Sequence, residues 1–125
     1  MSSNVQKYGL WALKILAGLA FIAAGFAKLT GVEMMVATFD AFGFGQWFRY
    51  VTGVIEIGSA ALLFVPGLQA YGAGLLLCTM IGAVLAHFLI LGPSAVPAMI
   101  LGLMVALITY AHRDQLPIGG SRATT

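Results

Sequence analysis

Three ionisable residues sit inside apolar stretches of this sequence, and their types define the chemistry open to it. Glu56 lies within residues 48–65, Lys28 near the end of 8–29, and His87 late in 68–91. A charge at the centre of a membrane span costs about 2.5 to 3.5 kcal/mol on insertion scales, so such a group normally faces a bundle interior and has a partner. A carboxylate, an ammonium and an imidazole brought together have two uses. One is a structural ion pair that fixes helix register. The other is a small polar pocket for a ligand or a proton, in which Lys28 or His87 can donate a hydrogen bond while Glu56 exchanges a proton.

The elements that must position these groups follow from composition and punctuation. Of 125 residues, 61% are hydrophobic and 8% charged, against roughly 25% charged in a soluble domain. This predicts an all-α integral membrane protein whose main surroundings are the lipid bilayer. Four apolar segments, 8–29, 48–65, 68–91 and 94–112, approach the ~20 residues that a spanning helix needs. Thr30-Gly31, Pro66-Gly67 and Gly92-Pro93 stand between them as helix stops and turns. The short connections make segments two to four antiparallel neighbours. The expected architecture is therefore a four-helix up-and-down bundle over residues 1–116, with a polar, flexible tail at 117–125. The first segment is read as a retained span rather than a cleaved leader, because three further apolar segments follow it.

The connection 31–47 has its own pattern. Val32, Met35, Val36, Phe39 and Phe42 recur at helical spacing, with Glu33 and Asp40 on the other side. This predicts a short amphipathic helix at the membrane interface between the first two spans. Gly43-Phe44-Gly45 then turns the chain, and Gln46, Trp47 and Tyr50 open the second span with an aromatic belt.

Four spans put both termini on one side. Lys7, Lys14, Arg113 and Arg122 lie there, with Lys28 and Arg49 on the other side, so the positive-inside rule predicts cytoplasmic termini; the expected location is the inner (plasma) membrane. Lys14 is expected to snorkel near the inner end, and Tyr110, His112, Arg113 and Asp114 to form the inner interfacial anchor.

Antiparallel helices bring the three ionisable residues towards one level. At 1.5 Å per residue, Lys28, Glu56 and His87 lie roughly 3, 12 and 7 Å below the outer ends of their helices. Because helical side chains lean towards their own N-terminus, Lys28 and His87 lean inwards and Glu56 outwards. On the second helix, Arg49, Thr52, Gly53, Glu56, Ser59 and Ala60 share one polar, small-residue face. The candidate pocket is thus Lys28, Glu56 and His87, joined by Arg49 and Thr52 and covered by Asp40.

Other function classes fall away. A net charge of +2 without a polybasic run gives no footprint for nucleic acid. The single Cys78 cannot support dithiol chemistry within one chain. No catalytic motif is present, and His87 and His112 fall near opposite membrane faces, so neither bis-histidine haem ligation nor a metal site is expected. Self-contained catalysis is not supported, which leans against an enzyme as an isolated chain and leaves that question open.

Ala24-Gly25-Phe26-Ala27-Lys28-Leu29 closing the first segment, Gly53-Val54-Ile55-Glu56-Ile57-Gly58 within the second, and Ala83-Val84-Leu85-Ala86-His87 late in the third resemble the DoxX-like membrane proteins. The likeness spans nearly the whole chain. It implies the four-helix membrane layout and highlights Lys28, Glu56 and His87. Relatives include a membrane subunit of thiosulfate:quinone oxidoreductase, partners of sulfur- and oxidative-stress enzymes, and receptor-assembly chaperones. The resemblance therefore points either to an accessory subunit of a membrane redox system, its polar pocket taking the head group of a quinone-like or lipid ligand, or to an assembly module packing against partner helices; the sequence leaves a homo-oligomer open. Proton-coupled transport ranks last, because the inner half offers little polarity besides Lys14.

Overall fold

The structure is a computed structural model that describes residues 3–91 and 95–116. The turn at Gly92-Pro93 and the tail 117–125 lie outside these residues. The described residues form five α-helices and no strands: α1 (Ser3–Thr30), α2 (Glu33–Phe42), α3 (Trp47–Leu62), α4 (Gln69–Ala86) and α5 (Val96–Ala111). A π-helical turn, His87–Leu91, continues α4, and a 3-10 turn, Arg113–Gln115, follows α5.

Glycine sets the helix ends. Gly31 takes φ +75°, and the N–H of Val32 donates to the carbonyl of Ala27 at 3.1 Å. This six-to-one bond closes α1 in a Schellman motif, for which a residue without Cβ suits the left-handed position. At the other end α1 begins at Ser3, so the polar stretch before Tyr8 is helical as well.

The long helices pack in a closed circuit, α1 on α3, α3 on α4, α4 on α5 and α5 back on α1. Neighbours run antiparallel. Gly25 meets Gly53 while Gly18 meets Phe64, and Gly72 meets Ser59 and Leu62. Between the two ends lies an apolar belt of fully buried Ala17, Phe21, Ala60, Leu63, Leu76 and Val105. The short α2 packs on the π-helical turn and touches α3 and α1. It buries Phe39 and leaves Glu33 and Asp40 exposed.

Large apolar side chains cover the outside, including Leu16, Leu19, Phe26, Ile81, Leu89 and Leu103. Two helices are long and apolar enough to cross a membrane, Asn4–Thr30 and Gln69–Ile90. Only 28% and 17% of their apolar windows are buried, the reverse of a core helix in a soluble protein. Lipid as solvent accounts for that surface. Helices α3 and α5 have 16 residues each, fewer than the ~20 needed to span unaided.

Candidate functional site

Lys28 and Glu56 meet because two glycines let their helices touch. A Cβ on Gly25 would lie 2.8 Å from the carbonyl oxygen of Gly53, and one on Gly53 would lie 3.0 Å from that of Gly25. Backbones in contact place Lys28, one turn beyond Gly25, within reach of Glu56. Lys28 Nζ donates to Glu56 Oε1 at 2.8 Å. Both side chains are buried, and Glu56 is only 1% exposed.

The pair leaves valences open. Among the described residues Lys28 uses one of its three N–H donors, and Glu56 Oε2 accepts no hydrogen bond. Unsatisfied polar atoms at such burial are costly. The arrangement therefore has spare donors and a spare acceptor side by side, the equipment for holding a small polar head group.

Arg49 is buried beside the pair but points elsewhere. Its Nη1 donates to the carbonyl of Lys28, its Nε to Gln46 Oε1 at 2.7 Å, and its Nη2 to Tyr50 Oη at 3.2 Å. Gln46 Nε2 in turn donates to the Val36 carbonyl at 3.0 Å. Arg49 thus sets its charge against the negative end of the α1 dipole and satisfies a terminal carbonyl. The chain Lys28–Arg49–Gln46–Val36 fastens α1, α3 and α2 together. Sequence reasoning missed Gln46 as the link, since an amide beside a turn carries no distinguishing local signal.

The other candidates lie on α3, on α2 and in the π-helical turn. Thr52 is half-buried, with its hydroxyl donating to the Phe48 carbonyl of its own helix at 2.9 Å. Asp40 is exposed on α2, where its carbonyl receives the Gly43 N–H. His87 is half-buried and opens the π-helical turn on which α2 packs. Such turns are frequent at functional sites. A separate apolar groove of about 400 Å³ runs between α4 and α5, lined by Leu77, Met80, Val84, Ala98, Met99 and Gly102 among others. Neither Lys28, Glu56 nor His87 lines it.

Lys14 departs from expectation. It does not snorkel: it is 3% exposed, with Nζ 3.4 Å from His112 Nε2 and 4.3 Å from the centroid of the Trp11 ring. Because α1 begins at Ser3, Lys14 stands three turns inside the helix, and the end of α5 offers it an inward partner. His112 is half-buried in this cluster, while Arg113 and Asp114 are exposed. The end of the molecule that holds Lys14 and His112 is thus more polar than the sequence suggests, although the apolar belt separates Lys14 from Glu56.

Residues 12–111 match the DoxX-like family. No curated protein and no solved structure matches the chain.

Proposed function

We propose that this chain, which belongs to the DoxX-like family, is an integral membrane protein whose Lys28–Glu56 pair binds the head group of a quinone-like or lipid ligand, as an accessory subunit of a membrane redox system. The observation that carries this reading is the incomplete hydrogen bonding of a deeply buried ion pair. A ligand carbonyl or hydroxyl takes the spare Lys28 donors, and Glu56 Oε2 accepts or returns the ligand's proton. Of the other candidates, Arg49 supports the pair by holding the Lys28 backbone in place.

In this reading α1, α3, α4 and α5, with their flanking turns, form a four-helix up-and-down bundle spanning the inner membrane as one domain. Helix α2 lies at the outer interface beside the exposed aromatics Phe44 and Trp47. Cytoplasmic termini are supported by charge. Of the basic residues described, Lys7 and Arg113 are exposed, and both belong to the end that carries the termini, whereas Lys14, Lys28 and Arg49 are buried.

Purification from native membranes followed by organic extraction tests the ligand. The expected result is a quinone or lipid near stoichiometric yield, lost in Glu56→Gln while the fold remains. A wild-type protein with no extractable ligand, together with a Glu56→Gln variant altered only in stability, overturns the reading.

A second reading, an assembly module packing against partner helices, is favoured by Gly58, Gly74 and Gly82, where an added Cβ meets nothing within 4 Å. Open glycines on membrane helices suit close approach by another helix. A crosslinked partner lost in Gly74→Leu but kept in Glu56→Gln would select it.

A further inference from the structure

At the end of the molecule that carries the termini, a buried amine faces an imidazole without a carboxylate between them. Lys14 Nζ lies 3.4 Å from His112 Nε2. Across the ring, His112 Nδ1 lies 3.5 Å from Gln115 Nε2. Which nitrogens carry hydrogen is decided by the amides around them.

Two backbone donors fix those amides. The N–H of Ala70 donates to Gln115 Oε1 at 2.8 Å, and the N–H of Gly67 donates to Gln69 Oε1 at 3.1 Å. A backbone N–H cannot accept, so turning either amide over would set donor against donor. Gln115 Nε2 then donates to Gln69 Oε1 at 2.6 Å and presents its second hydrogen towards His112. For that contact to be attractive, Nδ1 must be bare. A neutral imidazole then carries its hydrogen on Nε2 and donates it to Lys14, which requires a lone pair on Nζ.

Adding one proton from the adjacent aqueous phase changes this order. If it settles on Nζ, the ammonium needs a bare Nε2 and the imidazole hydrogen moves to Nδ1. If it settles on the imidazole, both ring nitrogens carry hydrogen. Either way Nδ1–H opposes Gln115 N–H. We infer that Lys14 and His112 form a one-proton site, and that proton uptake detaches His112 from Gln115 and loosens the clamp that holds the Arg113–Gln115 turn on the first turn of α4.

The remaining groups facing the site are few. Trp11 of α1 covers the amine, α4 contributes the neutral Gln69, and Phe64, beyond α3, stacks on Trp11. Asp114 acts on His112 electrostatically from the same turn, and Arg113 is turned onto Tyr110. This site is independent of Lys28 and Glu56.

Nitrogen-15 spectroscopy of the full chain in lipid nanodiscs, across a pH series, reads the site directly. His112 signals are assigned by their loss in His112→Gln. The expected result is an Nε2–H imidazole at high pH that gains hydrogen on Nδ1 in one step, with the Ala70 amide shifting at the same midpoint. Lys14→Met should move that midpoint, and Asp114→Asn should leave the step in place. An Nδ1–H form throughout, an Ala70 amide that does not follow the imidazole, or a step lost in Asp114→Asn overturns the inference. The wild-type measurement stands even if Lys14→Met does not fold.

Discussion

Replacing Gly72 by alanine tests how closely α3 and α4 are seated. A Cβ there would lie 2.5 Å from the Ser59 carbonyl oxygen and 2.7 Å from Leu62 Cβ. Both distances fall roughly 1 Å inside the ~3.5 Å of an ordinary contact. The first obstacle is backbone and the second is fixed to it, so no side-chain rotation relieves the clash. The helices must part, and overpacking of this kind costs about 1 to 3 kcal/mol. Alanine also favours the helix by up to about 1 kcal/mol over glycine, which would mask part of the loss. Gly74→Ala removes that ambiguity, because its Cβ meets nothing within 4 Å on the same helix. The expected difference between the two variants is about 1 to 3 kcal/mol, or roughly five- to over a hundredfold in the unfolding constant. Equilibrium unfolding in one detergent, with both variants and the wild type, measures it. Equal stability of Gly72→Ala and Gly74→Ala would refute the contact between α3 and α4 backbones.

Lys28→Met should destabilise by about 3 to 5 kcal/mol, since it leaves a buried carboxylate alone, while Lys28→Met with Glu56→Leu should recover most of that loss; a double-mutant cycle of unfolding free energies reads both. Arg49→Lys loses the fork that reaches Gln46 and Tyr50 together, so hydrogen exchange across Glu33–Phe42 should rise about tenfold, as expected for about 1.4 kcal/mol of local stability. Gln115→Ala leaves the Ala70 N–H without its acceptor and should cost about 1 to 3 kcal/mol. Faster exchange confined to the first turn of α4 is its signature.

What the sequence conveys depends on how local the cause is. Gly31 and Gly67 mark helix ends because a positive φ is a property of one residue. Periodic apolar residues mark α2 for the same reason. The contact between Lys28 and Glu56 is legible because two opposite charges in apolar runs have few other partners, and antiparallel helices bring them to similar depth. Lys14 is different. Whether a lysine reaches for water or turns inwards depends on what the neighbouring helix offers, and His112 lies far along the chain. The clamp of Gln115 on Ala70 and the route from Arg49 through Gln46 to Val36 are similarly non-local. The π-helical turn at His87–Leu91 has no sequence mark, because His-Phe-Leu-Ile-Leu continues an apolar helix equally well.

The fully buried belt of Ala17, Phe21, Ala60 and Leu63 has an electrical consequence for a protein lying across an energised membrane. Lys14 and Lys28 are separated by roughly 21 Å along α1, most of the ~30 Å hydrocarbon thickness. In the proposed membrane-spanning arrangement about 70% of the transmembrane voltage would fall between the two lysines, at about 2.3 kcal/mol per charge for each 100 mV. The buried belt then acts as an insulator between the two clusters.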